Sequence, residues 1–516
     1  MDACRLVPVF LLAALVLPAA PAAPAGRTCE DLVSETLPHV TVTGAAVMDD
    51  PGGFAPPRTP GVFGTPPGLV VREPFCRVTG FVEPVEGSHI GFEVWMPPSG
   101  DWNGRFLAVS NPSFEGAIKY QGLASALGRG YATASTDTGH QHPGHEWALG
   151  QPEKLVDWVH RALHETVVAA KALIRAHYGR APRYSYFDGC HNGGRQGLVE
   201  AQRYPEDFDG IVAGDPAFHL TRLQTGSEYL NWVALKDGVS APGFIPPDTY
   251  EVLNRAALDA CDALDGVLDR AIEDPTRCRF DPAAVQCDGP AGDSCLTGAQ
   301  VETARRLYAG ASFSDGTRIY SGFEPGSELF WGMMIQGPEP LSINNDFFRY
   351  IAFEDPEWDF RTFDVDRDTR RIDQRLGPVL NNTSPDLGAY RDRGGKLLVY
   401  QSWNETWLPP RMITAYYGDV AEAMGGEGAT GEFFRLFMIP DAGACAGSNP
   451  EMFDALGALE AWREEGIAPD RIRATYRRGD SVGKTRPVCA YPEVAIYRGE
   501  GDVNEAESYR CGKPSW

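Results

Sequence analysis

Residues 183–216 read RYSYFDGCHNGGRQGLVEAQRYPEDFDGIVAGDP, in which an apolar run meets a glycine-flanked turn, a helical pattern and a second apolar run. A strand, a sharp turn and a helix in this order form the backbone setting of the G-x-S-x-G motif, which exposes a catalytic nucleophile. Here the residue at the tip of the turn is His191. The segment therefore predicts a parallel βαβ unit that presents an imidazole at its turn.

The pattern on either side extends this unit into a larger α/β core. Strand-like and helix-like stretches alternate up to about residue 217, and they include an amphipathic helix that ends at Gly179. The alternation resumes near residue 383, whereas residues 218–382 are irregular and rich in Trp, Phe, Asp, Gly and Pro. We therefore predict an α/β core at residues 26–217 and 383–516, interrupted by a lid segment at residues 218–382.

The N-terminus indicates export. Residues 1–25 combine one arginine, an apolar run and an exit rich in small residues, which is typical of a cleaved signal peptide. The apolar run of about a dozen residues is shorter than the roughly 20 that a membrane span requires. The formal net charge of −24 argues against nucleic acid and anionic membranes as partners. We expect a secreted protein, extracellular or periplasmic, that acts on a small molecule.

The cysteine count agrees with an oxidising compartment. Eleven cysteines are present, and removal of Cys4 with the leader leaves an even number, sufficient for five disulfides. The connectivity does not follow from the sequence alone. Short separations favour three local pairs: Cys261 with Cys278, Cys287 with Cys295, and Cys489 with Cys511.

Several long segments together resemble the tannase and feruloyl esterase family. They are STDTGH from Ser135, GCHNGGRQGLVEAQRYPEDFDGIVAGDPA from Gly189, ACDALDGVLD from Ala260, PDLGAYRDRGGKLLVYQSW from Pro385 and FMIPDAGACAG from Phe437. The resemblance covers nearly the whole mature chain. It implies an α/β-hydrolase core, a calcium-binding lid, and ester hydrolysis by Ser, Asp and His. It also implies a disulfide between Cys190 and Cys445, and we expect Cys29 to pair with Cys76.

The catalytic residues of that family do not carry over. The serine position is His191, the aspartate position falls on Glu405, and the histidine position is Ala444. All ten histidines lie at or before His219, so the order nucleophile, acid, histidine cannot be built in this chain. The sequence thus predicts the loss of serine-type acyl transfer.

Two further loops differ from the family pattern. The loop expected to help build the oxyanion hole reads VSNPSFEGA, where Pro112 has no N–H and Glu115 replaces a small residue. The last catalytic loop has Asp441 where glycine is expected. We therefore expect four residues to form an acid/base site: His191, Glu405, Glu115 and Asp441.

Three functions follow from this site. A histidine beside carboxylates titrates near neutral pH and moves protons, which favours isomerase, cyclase or lyase chemistry on an aromatic or polyketide-like molecule. A second interpretation is a carboxylic ester hydrolase of feruloyl- or galloyl-type esters, with His191 activating water. A third is an inactive protein that binds a ligand.

Two loops carry residue types that bind metals. In CDALDGVLDRA the carboxylates of Asp262, Asp265 and Asp269 and the carbonyls of Val267 and Ala271 form an all-oxygen set, for which we predict a structural calcium ion. In DTGHQHPGHEW the residues His140, His142, His145 and Glu146 have the irregular spacing of an ordinary loop, and this favours a structural role over zinc. The aromatic residues of the lid segment are expected mainly in its core.

Overall fold

A computed structural model describes residues 26–59, 64–111, 113–114, 116–142, 144–289, 294–335, 337–449, 451–478 and 481–515. The predicted leader, Pro112 and Glu115 lie outside these described residues.

The strands are β1 Val40–Met48, β2 Phe75–Val82, β3 Ile90–Met96, β4 Arg105–Val109, β5 Ala132–Thr136, β6 Tyr184–Cys190, β7 Gly210–Gly214, β8 Ala311–Ser312, β9 Arg318–Tyr320, β10 Lys396–Ser402, β11 Phe434–Ile439, β12 Arg471–Arg478, β13 Ser481–Cys489, β14 Val494–Tyr497 and β15 Tyr509–Gly512. The α-helices are α1 Tyr120–Gly128, α2 Pro152–Val156, α3 Ala162–Tyr178, α4 Asn192–Arg203, α5 Leu220–Leu235, α6 Tyr250–Cys261, α7 Gly298–Ala309, α8 Ser342–Asp346, α9 Val365–Leu380, α10 Gly388–Asp392, α11 Pro410–Ala423, α12 Glu427–Gly431 and α13 Ala455–Glu465. Short π-helical segments occur at Asp157–Arg161, before α3, and at Phe347–Ala352, after α8.

A central sheet organises the described residues. Its nine strands have the order β1-β2-β3-β5-β4-β6-β7-β10-β11. The first four strands pair antiparallel, and the five pairings from β5 to β11 are parallel. The parallel part confirms the predicted α/β class, because helical crossovers must connect such strands.

Helices cover both faces of this sheet. Alternate residues of β7 face opposite sides, since Ile211 and Ala213 join the apolar cluster that includes α3, α4 and α11, whereas Val212 joins the cluster of α1 and α13. The central strands are therefore buried on both faces, as their continuous apolar sequence predicts.

The lid segment leaves the core at one point and returns beside it. It follows β7 in the chain, and β10, the next strand of the sheet, pairs directly with β7 through Leu397 and Ile211. Helices α5 to α9 pack around a separate apolar cluster that contains Trp331, Phe347 and Phe348. This cluster accounts for most of the lid aromatics as core residues, as expected.

All five predicted disulfides are present: Cys29–Cys76, Cys190–Cys445, Cys261–Cys278, Cys287–Cys295 and Cys489–Cys511. The Cys190–Cys445 bridge joins the turn before α4 to the loop after β11 across 255 positions of the chain. Within the described ranges, no helix combines the length and apolar character of a membrane span.

Candidate active site

The turn between β6 and α4 positions His191. Its backbone has φ 56° and ψ −113°, a conformation that residues other than glycine rarely adopt. Its N–H donates to the Gly214 carbonyl at 3.0 Å, and its carbonyl accepts from the N–H groups of Arg195 and Ala217. These three bonds hold the strained residue in place.

Glycines allow the turn to approach its neighbours. A Cβ at Gly193 would lie 2.1 Å from Ser110 Oγ, and one at Gly194 would lie 2.2 Å from the Gly214 carbonyl oxygen. Steric contact therefore explains the two glycines after His191 in GCHNGG. The turn can approach two adjacent strand ends this closely only if residues 193 and 194 carry no side chain.

His191 and Glu405 form a buried pair. The distance from His191 Nε2 to Glu405 Oε2 is 3.0 Å, and the other carboxylate oxygen accepts the N–H of Trp407 at 2.7 Å. Because a carboxylate only accepts hydrogen bonds, Nε2 carries the proton in the neutral imidazole. Nδ1 then has the free lone pair, and it has no hydrogen-bond partner among the described residues.

The charge of Glu405 controls this imidazole. Burial lowers the pKa of His191, but the hydrogen bond and the charge of Glu405 outweigh it, so the pKa is raised above 6.5. Asp215 lies behind the pair, fully buried, and accepts the N–H groups of Ser402 at 2.6 Å and Cys445 at 2.7 Å. Burial, followed by the charge of Glu405, raises the pKa of Asp215 to about 7.

A pocket of about 530 Å³ opens in front of His191. It lies at the carboxyl ends of β4, β6, β7 and β10, beneath α5 and α8 of the lid segment. Of the described residues that line it, His191 is the sole ionisable one. The rest are apolar, aromatic or neutral polar: Ser113, Phe114, Trp158, Asn192, Ala217, Leu220, Leu223, Gln224, Ser227, Ile343, Asn344, Trp407 and Leu408.

The structure brings together two of the four predicted acid/base residues. His191 and Glu405 are paired, whereas Asp441 forms an ion pair with Lys484 at 2.9 Å and lines a different cavity. Glu115 lies outside the described residues, as does Pro112. Ala444, beside the Cys190–Cys445 disulfide, offers no polar side chain.

Asp215 and Trp407 were missed by sequence reasoning. A signal for Asp215 was available, because it directly follows the carboxyl end of β7, where functional residues of parallel sheets gather. Trp407 gave no such signal, since its ring reaches His191, with ring centroids 5.8 Å apart, only through the course of the loop after β10.

The predicted calcium loop is compact and partly buried. Asp262 accepts the N–H groups of Asp269 at 3.2 Å and Arg270 at 3.0 Å, and Asp265 accepts that of Val267 at 3.0 Å. Buried oxygens without a hydrogen-bond partner remain on Asp265 and Asp269. Ala271 is also buried.

A buried cation lies beside this loop. The guanidinium of Arg486 is 2.6 Å from an Asp269 oxygen and 4.0 Å from one of Asp265. The Lys484 amine lies 3.8 Å from the same Asp269 oxygen. These two cations balance only part of the charge of the three loop aspartates, so their all-oxygen set suits a further cation.

The described residues of the histidine loop do not include three potential ligands close enough together to bind one metal ion. His140 Nε2 donates to the Phe114 carbonyl at 2.8 Å, and His145 is buried against the Phe114 ring, while His142 is exposed beside Glu146. In the part of the chain that is described, one group of three potential ligand residues lies within 4.8 Å: Cys190, His191 and Cys445. Its two cysteines are joined as a disulfide and are not available as thiolates.

A mostly parallel sheet with helices on both faces and a strained strand-to-helix turn after a central strand is the arrangement of an α/β-hydrolase fold. The model of the family described as "Tannase and feruloyl esterase" matches residues 76–512, and the chain belongs to this family.

Individual relatives agree with this assignment. An uncharacterized esterase of Xanthomonas campestris pv. campestris is 36% identical, with 95% of this chain and 92% of that protein covered. A probable feruloyl esterase B-2 of Aspergillus oryzae is 33% identical over 92% of this chain and 93% of its own. The crystal structure of feruloyl esterase B from Aspergillus oryzae superposes with a TM-score of 0.87 at 28% identity, covering 94% of this chain and 100% of the other.

Proposed function

We propose that this protein hydrolyses carboxylic esters by general-base catalysis, with His191 activating water and Glu405 orienting the imidazole. The observation that carries the proposal is the 3.0 Å contact between His191 and Glu405 at the end of a largely apolar pocket. The names of the relatives, which are esterases, support hydrolysis over other chemistry.

The proposed reaction needs no acyl-enzyme. Nδ1 of His191 takes a proton from a water molecule as the water oxygen attacks the ester carbonyl carbon. The carbonyl π electrons move to oxygen, and the resulting oxyanion is stabilised by N–H groups at the start of α4, which have no intrahelical acceptors. The proton then passes from the imidazolium to the leaving alkoxide as the C–O bond breaks, which gives an acid and an alcohol.

The pocket supports an aromatic acyl or alcohol group. The rings of Phe114, Trp158 and Trp407 line it, and its neutral polar groups include Gln224 and Asn344. Aromatic walls with a few polar groups suit a phenolic ring, whose face packs on the aromatic residues and whose hydroxyl needs a hydrogen-bond partner.

A second candidate is non-hydrolytic proton transfer at carbon, of the isomerase, cyclase or lyase type. The expected replacement of the triad favours it, since the resemblance places His191 at the nucleophile position and Ala444 at the histidine position. In this case Nδ1 of His191 removes a proton from the substrate itself, and no water takes part.

One experiment separates the candidates. Purified wild-type protein and the His191→Ala variant are incubated with feruloyl and galloyl esters in water enriched in ¹⁸O. The proposal predicts His191-dependent release of free acid containing one ¹⁸O atom, without labelling of the protein by a fluorophosphonate. A His191-dependent product of unchanged mass supports proton transfer, and ligand binding without any product contradicts both candidates.

We also propose a structural calcium ion in the loop of Asp262, Asp265 and Asp269, with carbonyls from Val267 and Ala271. The unpartnered buried oxygens of Asp265 and Asp269 support it, because a buried carboxylate oxygen needs a hydrogen-bond donor or a cation as its partner. Calcium there would supply no chemistry to the reaction, and it would hold the lid segment against the β13 strand.

Export from the cytoplasm is the third proposal. Five disulfides support it, because such bonds persist in oxidising compartments. Mass spectrometry of the protein recovered from culture fluid or periplasm tests the expected cleavage after Ala25.

A further inference from the structure

A second cavity lies where the lid segment, the core and the β12–β13 hairpin meet. Its volume is about 1220 Å³, and none of its described lining residues lines the His191 pocket. It is bounded by α6 and the calcium loop on one side, by the stretch Gly326–Phe330 above, and by Tyr476 and Lys484 of the hairpin.

The segment after β10 separates the two cavities. Asn404 lines the second cavity, whereas the next residue, Glu405, holds His191 on the other side. Thr406 fastens this wall to the lid through a hydrogen bond from its hydroxyl to the Phe330 carbonyl at 3.3 Å. A ligand in the second cavity therefore does not reach the His191 ring.

The charge of the cavity differs from that of the chain. Its charged lining residues are Asp269, Arg270, Asp441, Arg477 and Lys484, three cations and two anions, whereas the whole chain has a net charge of −24. Lys484 is partly neutralised, because its amine lies 2.9 Å from Asp441 and 3.8 Å from Asp269.

Arg270 is the cation left for a ligand. Its side chain has no hydrogen-bond or ion-pair partner among the described residues, although it lines the cavity. Its backbone has φ 64°, and its N–H is held by Asp262 at 3.0 Å. A strained non-glycine residue fixed by a hydrogen bond is typical of a position with a function.

Apolar groups line the same cavity as Arg270. Phe330 and Tyr476 line the same cavity, and Leu329, which also lines it, is 58% exposed. The hydroxyl of Tyr476 donates to the Pro440 carbonyl at 2.7 Å, which fixes the ring. An exposed leucine and two aromatic rings offer an apolar surface that a purely inorganic anion would leave uncovered.

We propose that this cavity binds an aromatic carboxylate at a site distinct from the catalytic pocket. The planar Arg270 guanidinium pairs with the carboxylate through two parallel N–H donors, and the ring of the ligand packs against Phe330 and Leu329. The site does not depend on ester hydrolysis and is measurable in a protein that cannot turn over.

The test uses the full chain carrying His191→Ala and Leu223→Trp, changes that remove turnover and fill the catalytic pocket. Binding of 2-naphthoate and of the uncharged 2-naphthamide is measured by calorimetric titration. The same titrations are repeated with Arg270→Gln and Arg270→Lys added to this background. Arg370→Gln is the matched control, because Arg370 is an exposed lid arginine outside the cavity. We expect Arg270→Gln to weaken naphthoate binding about 10-fold or more, Arg270→Lys to weaken it less, and Arg370→Gln to leave it unchanged.

Three outcomes would overturn the proposal. Naphthoate affinity that is the same in Arg270→Gln shows that the guanidinium takes no part. Equal affinity for naphthamide shows that the charge is not recognised, and displacement of naphthoate by inorganic phosphate at equal concentration shows a general anion site. Because turnover is absent from this background, failure here is independent of whether the protein hydrolyses esters.

Discussion

His191 Nε2 and Glu405 Oε2 lie 3.0 Å apart although 214 positions separate the two residues in the chain. The sheet creates this contact, because β6 and β10 both pair with β7 and their carboxyl ends lie at the same edge. We propose that an imidazole at this edge serves proton transfer, where a nucleophile would serve covalent chemistry.

Loss of the imidazole should abolish turnover and leave the fold intact. We expect His191→Ala to lower kcat by about 10²- to 10⁴-fold, the usual contribution of a general base. The value of kcat is measured from the hydrolysis of a feruloyl ester, and the far-ultraviolet circular dichroism spectrum is the control for an intact fold. A variant with wild-type kcat would exclude His191 from the reaction.

A serine at the turn should not by itself create a reactive nucleophile. His191→Ser supplies a hydroxyl but no base, since no histidine lies beyond His219 in the chain. In His191→Ser/Ala444→His the order serine, Glu405, histidine is complete, and we expect this double variant to react with a fluorophosphonate. Labelling of the single variant to the same extent would show that another base already lies beside residue 191.

The Glu405 carboxylate should set the pH profile. In the proposed mechanism the neutral imidazole is the base, so we expect the rate to rise with pH through the pKa of His191, which Glu405 raises above 6.5. In Glu405→Gln, burial acts without the opposing charge, so the rising limb should move to lower pH while the plateau falls on the order of 10²-fold. The pH dependence of kcat/KM tests this, and a limb that stays in place would show that Glu405 is not its cause.

The same pair affects stability. A raised His191 pKa adds stability that is fully present below the unfolded pKa of about 6.5 and is lost as pH rises through the folded pKa. In Glu405→Gln this loss of stability with rising pH should disappear.

The glycine that follows the turn should tolerate no side chain. In Gly194→Ala the new Cβ would meet the Gly214 carbonyl oxygen at 2.2 Å, a backbone atom that cannot move aside cheaply. We expect a loss of about 3 kcal/mol in the free energy of unfolding. Gly428→Ala is the matched control, because its Cβ would meet nothing within 4 Å and α12 favours alanine. The denaturant midpoints of the two variants are compared, and equal midpoints would contradict the steric argument.

Removal of calcium should loosen the lid. We expect a calcium chelator to lower the midpoint of thermal unfolding, since an ion at 100 times its Kd contributes about 2.7 kcal/mol. Asp265→Asn should reduce the difference between calcium-loaded and chelated protein, and Asp281→Asn, a change at an exposed aspartate outside the loop, should not. An unfolding midpoint that is insensitive to chelator would contradict the calcium proposal.

Local pattern by itself determined the class of this protein. The strand and helix runs on both sides of the lid segment, the turn at His191 and the three local disulfides follow from periodicity, glycine placement and cysteine spacing, because each depends on short stretches of chain. The Cys190–Cys445 bridge, across 255 positions, is predicted by the family resemblance. The tertiary structure decided which carboxylate meets the imidazole. Glu405 lies beside His191, whereas Asp441, from an equally plausible loop, turns to Lys484. Asp215, Trp407 and the cavity at Arg270 also arise from contacts between distant segments, and such contacts depend on the paths of several loops in space.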